Sequence, residues 1–75
     1  MEPISEALQL LKRQAEIQHA LRRDSTTRVI EERELYLIRN RLARYPAAIQ
    51  AIGLAARELH RPVDTLTVAD VEQRC

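Results

Sequence analysis

Apolar residues recur at spacings of three and four from Ile4 to Leu59, and that period commits the chain to helices. In the first stretch Ile4, Ala7, Leu8, Leu11 and Ala15 follow one line, and Leu10, Ile17 and Leu21 a second, offset one. The spacing predicts a helix over residues 2–23 with one wide apolar face. Pro3 is tolerated in its first turn, where the missing N–H has no helical partner. Glu2 and Glu6 stand at the start and Arg22 and Arg23 at the end, the order that the helix dipole favours.

Asp24, Ser25, Thr26 and Thr27 then interrupt the period with four residues that compete for backbone hydrogen bonds and favour caps over helix interiors. A turn is expected there, the alternative being one helix running on to Tyr45, since neither Gly nor Pro enforces a stop. The charges favour two helices. Glu31, Glu32 and Glu34 precede Arg39, Arg41 and Arg44, so the second segment repeats the acid-first, base-last order. Within it Leu35, Ile38, Leu42 and Tyr45 form a short coiled-coil seam, which Ile30 and Leu37 are expected to widen. Pro46 disfavours the helical region at Tyr45 and suits the first position of a new helix, so a kink or boundary is expected there.

That third helix, over residues 46–59, is rich in alanine, and most of its circumference is expected to be buried. Gly53 at its middle costs about 1 kcal/mol relative to Ala, and close approach of another helix is the expected compensation. His60, Arg61 and Pro62 close the helix. Val63 to Leu66 should be extended or turn-like, because Pro62 and the Val and Thr content oppose further helix. Thr67 and Asp70 resemble a capping box with Asp in place of Glu, so a short helix should follow through about Arg74.

The reading is thus one all-α domain over residues 1–75: a helical hairpin, a third Ala-rich helix and a short C-terminal helix. A chain of 75 residues buries only about 60 to 65 % of the surface its unfolded form exposes, so a partner, a metal or a disulfide is expected to assist. The one cysteine, Cys75, makes no intrachain disulfide, and a dimer disulfide is disfavoured in a reducing compartment. His19 and His60 are too distant to form a local ligand pair, so no metal site is read. No apolar run reaches the roughly 18 residues of a membrane span, and residues 1–14 lack the basic start of a signal peptide. A cytoplasmic protein with no membrane association is expected.

Association is the device that remains, and the surplus of apolar helix faces points the same way: a two-fold dimer forming a helical bundle. Leu35, Ile38, Leu42, Tyr45, Ile49 and Ile52 are the candidate interface residues. The leading functional expectation is a small non-enzymatic adaptor or regulator, acting through self-association and protein–protein binding. Catalysis has little support, since neither histidine is accompanied by a nucleophile motif, and no catalytic residue is assigned. A chain with one glycine builds no phosphate-binding loop, so no cofactor is expected. An enzyme with an Arg/Glu pocket between protomers, drawing on Arg13, Glu32 and Arg39, is the third class considered.

Nucleic-acid binding is the alternative. The basic residues are eleven arginines and one lysine, a bias that suits phosphate recognition but also arises from a GC-rich coding background. Ala55 to His60, with Thr65 and Leu66, resembles a helix-turn-helix with His60 where glycine is usual. The second helix implied by that resemblance would carry Asp64, Asp70 and Glu72, which repel phosphate. Arg39, Arg41 and Arg44 are therefore the candidate nucleic-acid contacts, with Arg22, Arg23 and Arg28 as a further basic corner.

Overall fold

The computed structural model describes residues 3–23 and 28–73. Among them are four α-helices and no strand: α1 (Ile4–Arg23), α2 (Arg28–Leu42), α3 (Pro46–Leu59) and α4 (Val68–Glu72), with a single 3-10 turn at Val63–Thr65 before α4. The interruption expected at residues 24–27 lies outside the described residues, as do Glu2, Arg74 and Cys75. Arg13 meets Glu34, and Glu6 meets Tyr45. Residues advancing along α1 thus pair with residues receding along α2, so the two helices are separate and antiparallel.

Local chemistry sets each boundary. The Pro3 carbonyl accepts the first helical bond of α1, from the Ala7 N–H at 3.3 Å. Beside it, at the end of the hairpin, α2 tightens as it stops, with Arg44 and Tyr45 donating to the carbonyls of Arg41 and Leu42 at 3.1 and 2.9 Å. Tyr45, at φ −127° and ψ 53°, occupies the N-cap of α3 ahead of Pro46, outside the helical region that a following proline disfavours. Its side chain does not cap α3. The hydroxyl instead donates to Glu6 Oε2 at 2.6 Å and ties the α2–α3 corner to the first turns of α1.

The end of α3 is a Schellman motif built without glycine. Arg61 N–H bonds to the Ala56 carbonyl and His60 N–H to that of Arg57, while His60 itself adopts the left-handed conformation at φ 54°. Arg61 then ties α3 to the C-terminal segment: its guanidinium donates to the Thr65 hydroxyl, to the Thr65 carbonyl and to Asp70 Oδ2. The capping box of α4 is present. Asp70 N–H donates to Thr67 Oγ1 at 3.2 Å, and Thr67 N–H to Asp70 Oδ2 at 3.0 Å.

A single core runs through all four helices. It comprises Ile4, Ala7, Leu8 and Ile17 of α1, Leu35, Ile38 and Leu42 of α2, Ala48, Ile52 and Ala55 of α3, Leu66, and Val71 of α4. Ile17, Ile52, Leu66 and Val71 are fully enclosed. Burial of each such side chain contributes about 1.5 to 3 kcal/mol. The element that organises this core is α1, which packs against α2, α3, the 3-10 turn and α4. By contrast α2 leans chiefly on α1, and the Cα positions span only 14 Å in their shortest direction. In so shallow an arrangement outer helices keep an open side.

Two expectations are corrected by this geometry. Gly53 is exposed, and a Cβ placed there would meet nothing within 4 Å, so no described helix of the chain approaches it closely. Nor is α3 buried around most of its circumference. Ala47, Gln50, Gly53, Leu54 and Arg57 all remain exposed, because α1 and the C-terminal segment cover one face only.

Candidate functional site

The helix with the most unusual surface is α2. At 3.6 residues per turn, Leu35, Ile38 and Leu42 fall on one stripe, and all three are buried against α1. Val29 and Tyr36 lie seven residues apart on a line nearly opposite, with Ile30 and Leu37 on a parallel line beside it. These four are exposed by 83, 66, 73 and 55 % respectively. Ile30 and Leu37 therefore do not widen the core stripe as the sequence suggested. They belong to a second apolar face, which no described element of the chain covers.

Polar residues interleave with that face. Arg33 and Asn40 project from the same side, and Arg44 follows in the turn after α2; all three are exposed. Arg39 and Arg41 are also exposed, but two residues rotate a helix by about 200°, so they stand on opposite flanks. The arginine trio thus does not converge on one surface.

Of the residues assigned to an interface from sequence, Leu35, Ile38, Leu42 and Ile52 are buried in the chain's own core, while Tyr45 and Ile49 are half-buried against it. Their packing is intramolecular. The open apolar surface is instead Val29, Ile30, Tyr36 and Leu37, together with Leu54 on α3. The signal for it was present as two seven-residue repeats, 29 to 36 and 30 to 37, running out of phase with the seam.

Electrostatic contacts tie α2 to α1 from one flank. Arg13 holds Glu34 in a two-pronged pair, Nε to Oε1 at 2.8 Å and Nη2 to Oε2 at 3.1 Å, and reaches Glu16 through Nη1 at 3.2 Å. The guanidinium keeps the Glu34 carboxyl below its ordinary value of 4.5, chiefly through these hydrogen bonds. Arg13 is thereby committed to a structural tether. The Tyr45 phenol is raised above 10.0, first by its bond to the Glu6 carboxylate and then by burial. Both pairs run from α1 to α2 and to the α2–α3 corner, and add to the orientation set by the buried stripe of Leu35, Ile38 and Leu42.

Elsewhere, among the described residues, lie two further shallow clefts. One, of about 410 Å³, lies beside α1 and is lined by Ala15, Glu16, Gln18, His19, Arg22 and Asp64. Its charged side chains are of both signs and all exposed. The other is bounded by Gln50, Gly53, Leu54 and Arg57 on the open side of α3. Among the described residues no group of three or more His, Cys, Asp or Glu side chains is placed to hold a metal, and no helix is long and apolar enough to cross a membrane. Comparison with protein-family models, with curated proteins and with solved structures finds no match to this chain.

Proposed function

We propose that this chain is a small non-enzymatic adaptor or regulatory protein, acting through helix-mediated self-association and protein–protein binding. The observation that carries the reading is the second apolar face of α2, where Val29, Ile30, Tyr36 and Leu37 lie exposed opposite the core stripe. Four such side chains place on the order of 500 Å² of apolar surface in one patch, at the upper end of what a monomeric protein exposes. A shallow fold with a marginal core gains most from covering such a face. The test is molar mass by light scattering across a tenfold dilution. A mass above that of the 8.7 kDa chain, falling on dilution or constant, supports the reading. A monomer that also captures no protein partner contradicts it.

A nucleic-acid-binding regulator is the second reading, favoured by the exposure of Arg33 beside Tyr36 and of Arg39, Arg41 and Arg44. Such a protein would be retained on heparin or duplex DNA with steep salt dependence, weakened when Arg39, Arg41 and Arg44 become Gln. Salt-independent behaviour removes it.

A further inference from the structure

The outer face of α2 has a charge pattern that selects its occupant. On its flanks, Glu32 and Arg39, seven residues apart, lie along one edge and Glu34 and Arg41, seven apart, along the other, acid toward the N-terminal end and base toward the C-terminal end of each. A helix docked parallel to α2 and carrying the same sequence would set acid beside acid and base beside base. Docked antiparallel, the same sequence sets each acidic half against a basic half, twice.

We propose that this face is covered by α2 of a second copy of the chain, packed antiparallel across a two-fold axis that passes between Tyr36 and Leu37. The inference rests on the self-association reading above and names the surface and geometry that carry it. About that axis Tyr36 faces Leu37 of the second copy and Arg33 faces Asn40, while Glu32 comes alongside Arg39 on one flank and Glu34 alongside Arg41 on the other. Val29 faces Arg44, whose aliphatic stem can lie over the valine while its guanidinium stays in water. No like charges oppose one another in this register.

The geometry also supplies enough surface. Two copies of the patch cover on the order of 1,000 Å² in total, about the lower bound for a specific interface, so a dimer that dissociates on dilution is expected rather than an obligate one. Isologous pairing uses the same patch on both copies and leaves none open, which limits assembly to two chains. The flanking charges add orientation and salt sensitivity more than affinity.

Two sets of variants test the arrangement, starting from the full chain. Leu37→Glu alters an exposed side chain, so the helical circular dichroism should be retained while the dissociation constant rises on the order of a hundredfold. For orientation, Leu37→Cys, Val29→Cys and Arg44→Cys are made singly in a Cys75→Ser background and treated with a short bifunctional thiol reagent. Leu37→Cys should link to itself. Val29→Cys and Arg44→Cys should each fail alone, their symmetry mates lying about 22 Å apart along the axis, but link when mixed. Self-linking of Val29→Cys means a parallel pair, and a dimer indifferent to Leu37→Glu means another face. Either overturns this arrangement while leaving self-association standing. A parent chain that stays monomeric at every concentration overturns the second copy as occupant and self-association together.

Discussion

Replacing Gly53 with alanine should stabilise the protein, and the structure fixes both sign and size. Glycine in a helix interior costs about 0.8 to 1.0 kcal/mol relative to alanine, because its backbone loses more freedom on folding. That gain is realised only if the new methyl group fits and the backbone is one that alanine adopts. Gly53 satisfies both conditions: it lies mid-helix without a positive φ, and nothing stands within 4 Å of the Cβ position. The full propensity difference should therefore appear, about fivefold in the folding equilibrium constant and, for a domain of this size, about 4 to 8 °C in Tm. Urea unfolding followed by far-ultraviolet circular dichroism reads it directly, as a higher midpoint at unchanged slope. A variant no more stable than the parent would refute this. It would mean that another surface presses on the Gly53 backbone in solution.

Caps and tethers are open to the same kind of test. His60→Gly should raise stability by up to about 1 kcal/mol, since a left-handed residue with a Cβ is disfavoured and glycine's extra freedom when unfolded offsets part of the gain. His60→Ala should bring no such gain, and a denaturant midpoint for each variant separates the two. The Glu34 carboxyl is depressed by Arg13, so its contribution is present above pH about 4.5 and is lost as pH falls through the lower folded value. Glu34→Gln should flatten that acid limb in a pH series of thermal melts. Tyr45 behaves in the opposite sense: its raised phenol favours the folded state below about pH 10 and ceases to do so as pH rises through the folded value. Tyr45→Phe should remove that alkaline limb.

Much of the architecture is legible in the residue pattern because the signals are local. Pro46 sets the start of α3, the pairing of Thr67 with Asp70 sets that of α4, and the apolar lines of α1 lead to its buried face. The outer face of α2 was harder to assign, for a physical reason. The helix is apolar on two nearly opposite sides, so periodicity alone does not say which side meets α1. The choice is made in tertiary packing, where Leu35, Ile38 and Leu42 are buried and Arg13 to Glu34 and the Tyr45 hydroxyl to Glu6 join residues 21 and 39 positions apart in the chain. The same limit explains Gly53: a helical glycine announces that a side chain is missing without saying whether a neighbour fills the space. His60 shows a third kind, a left-handed cap adopted without the glycine that usually marks it.

Association through the outer face of α2 can be tested residue by residue with a dilution series of amide ¹⁵N–¹H correlation spectra on the unmodified protein. Concentration-dependent shifts are expected to centre on Val29, Ile30, Arg33, Tyr36, Leu37 and Asn40, with α4 and the enclosed face of α3 unmoved. Spectra that do not change with concentration, or shifts centred on Gln50, Gly53, Leu54 and Arg57, would contradict association through this face.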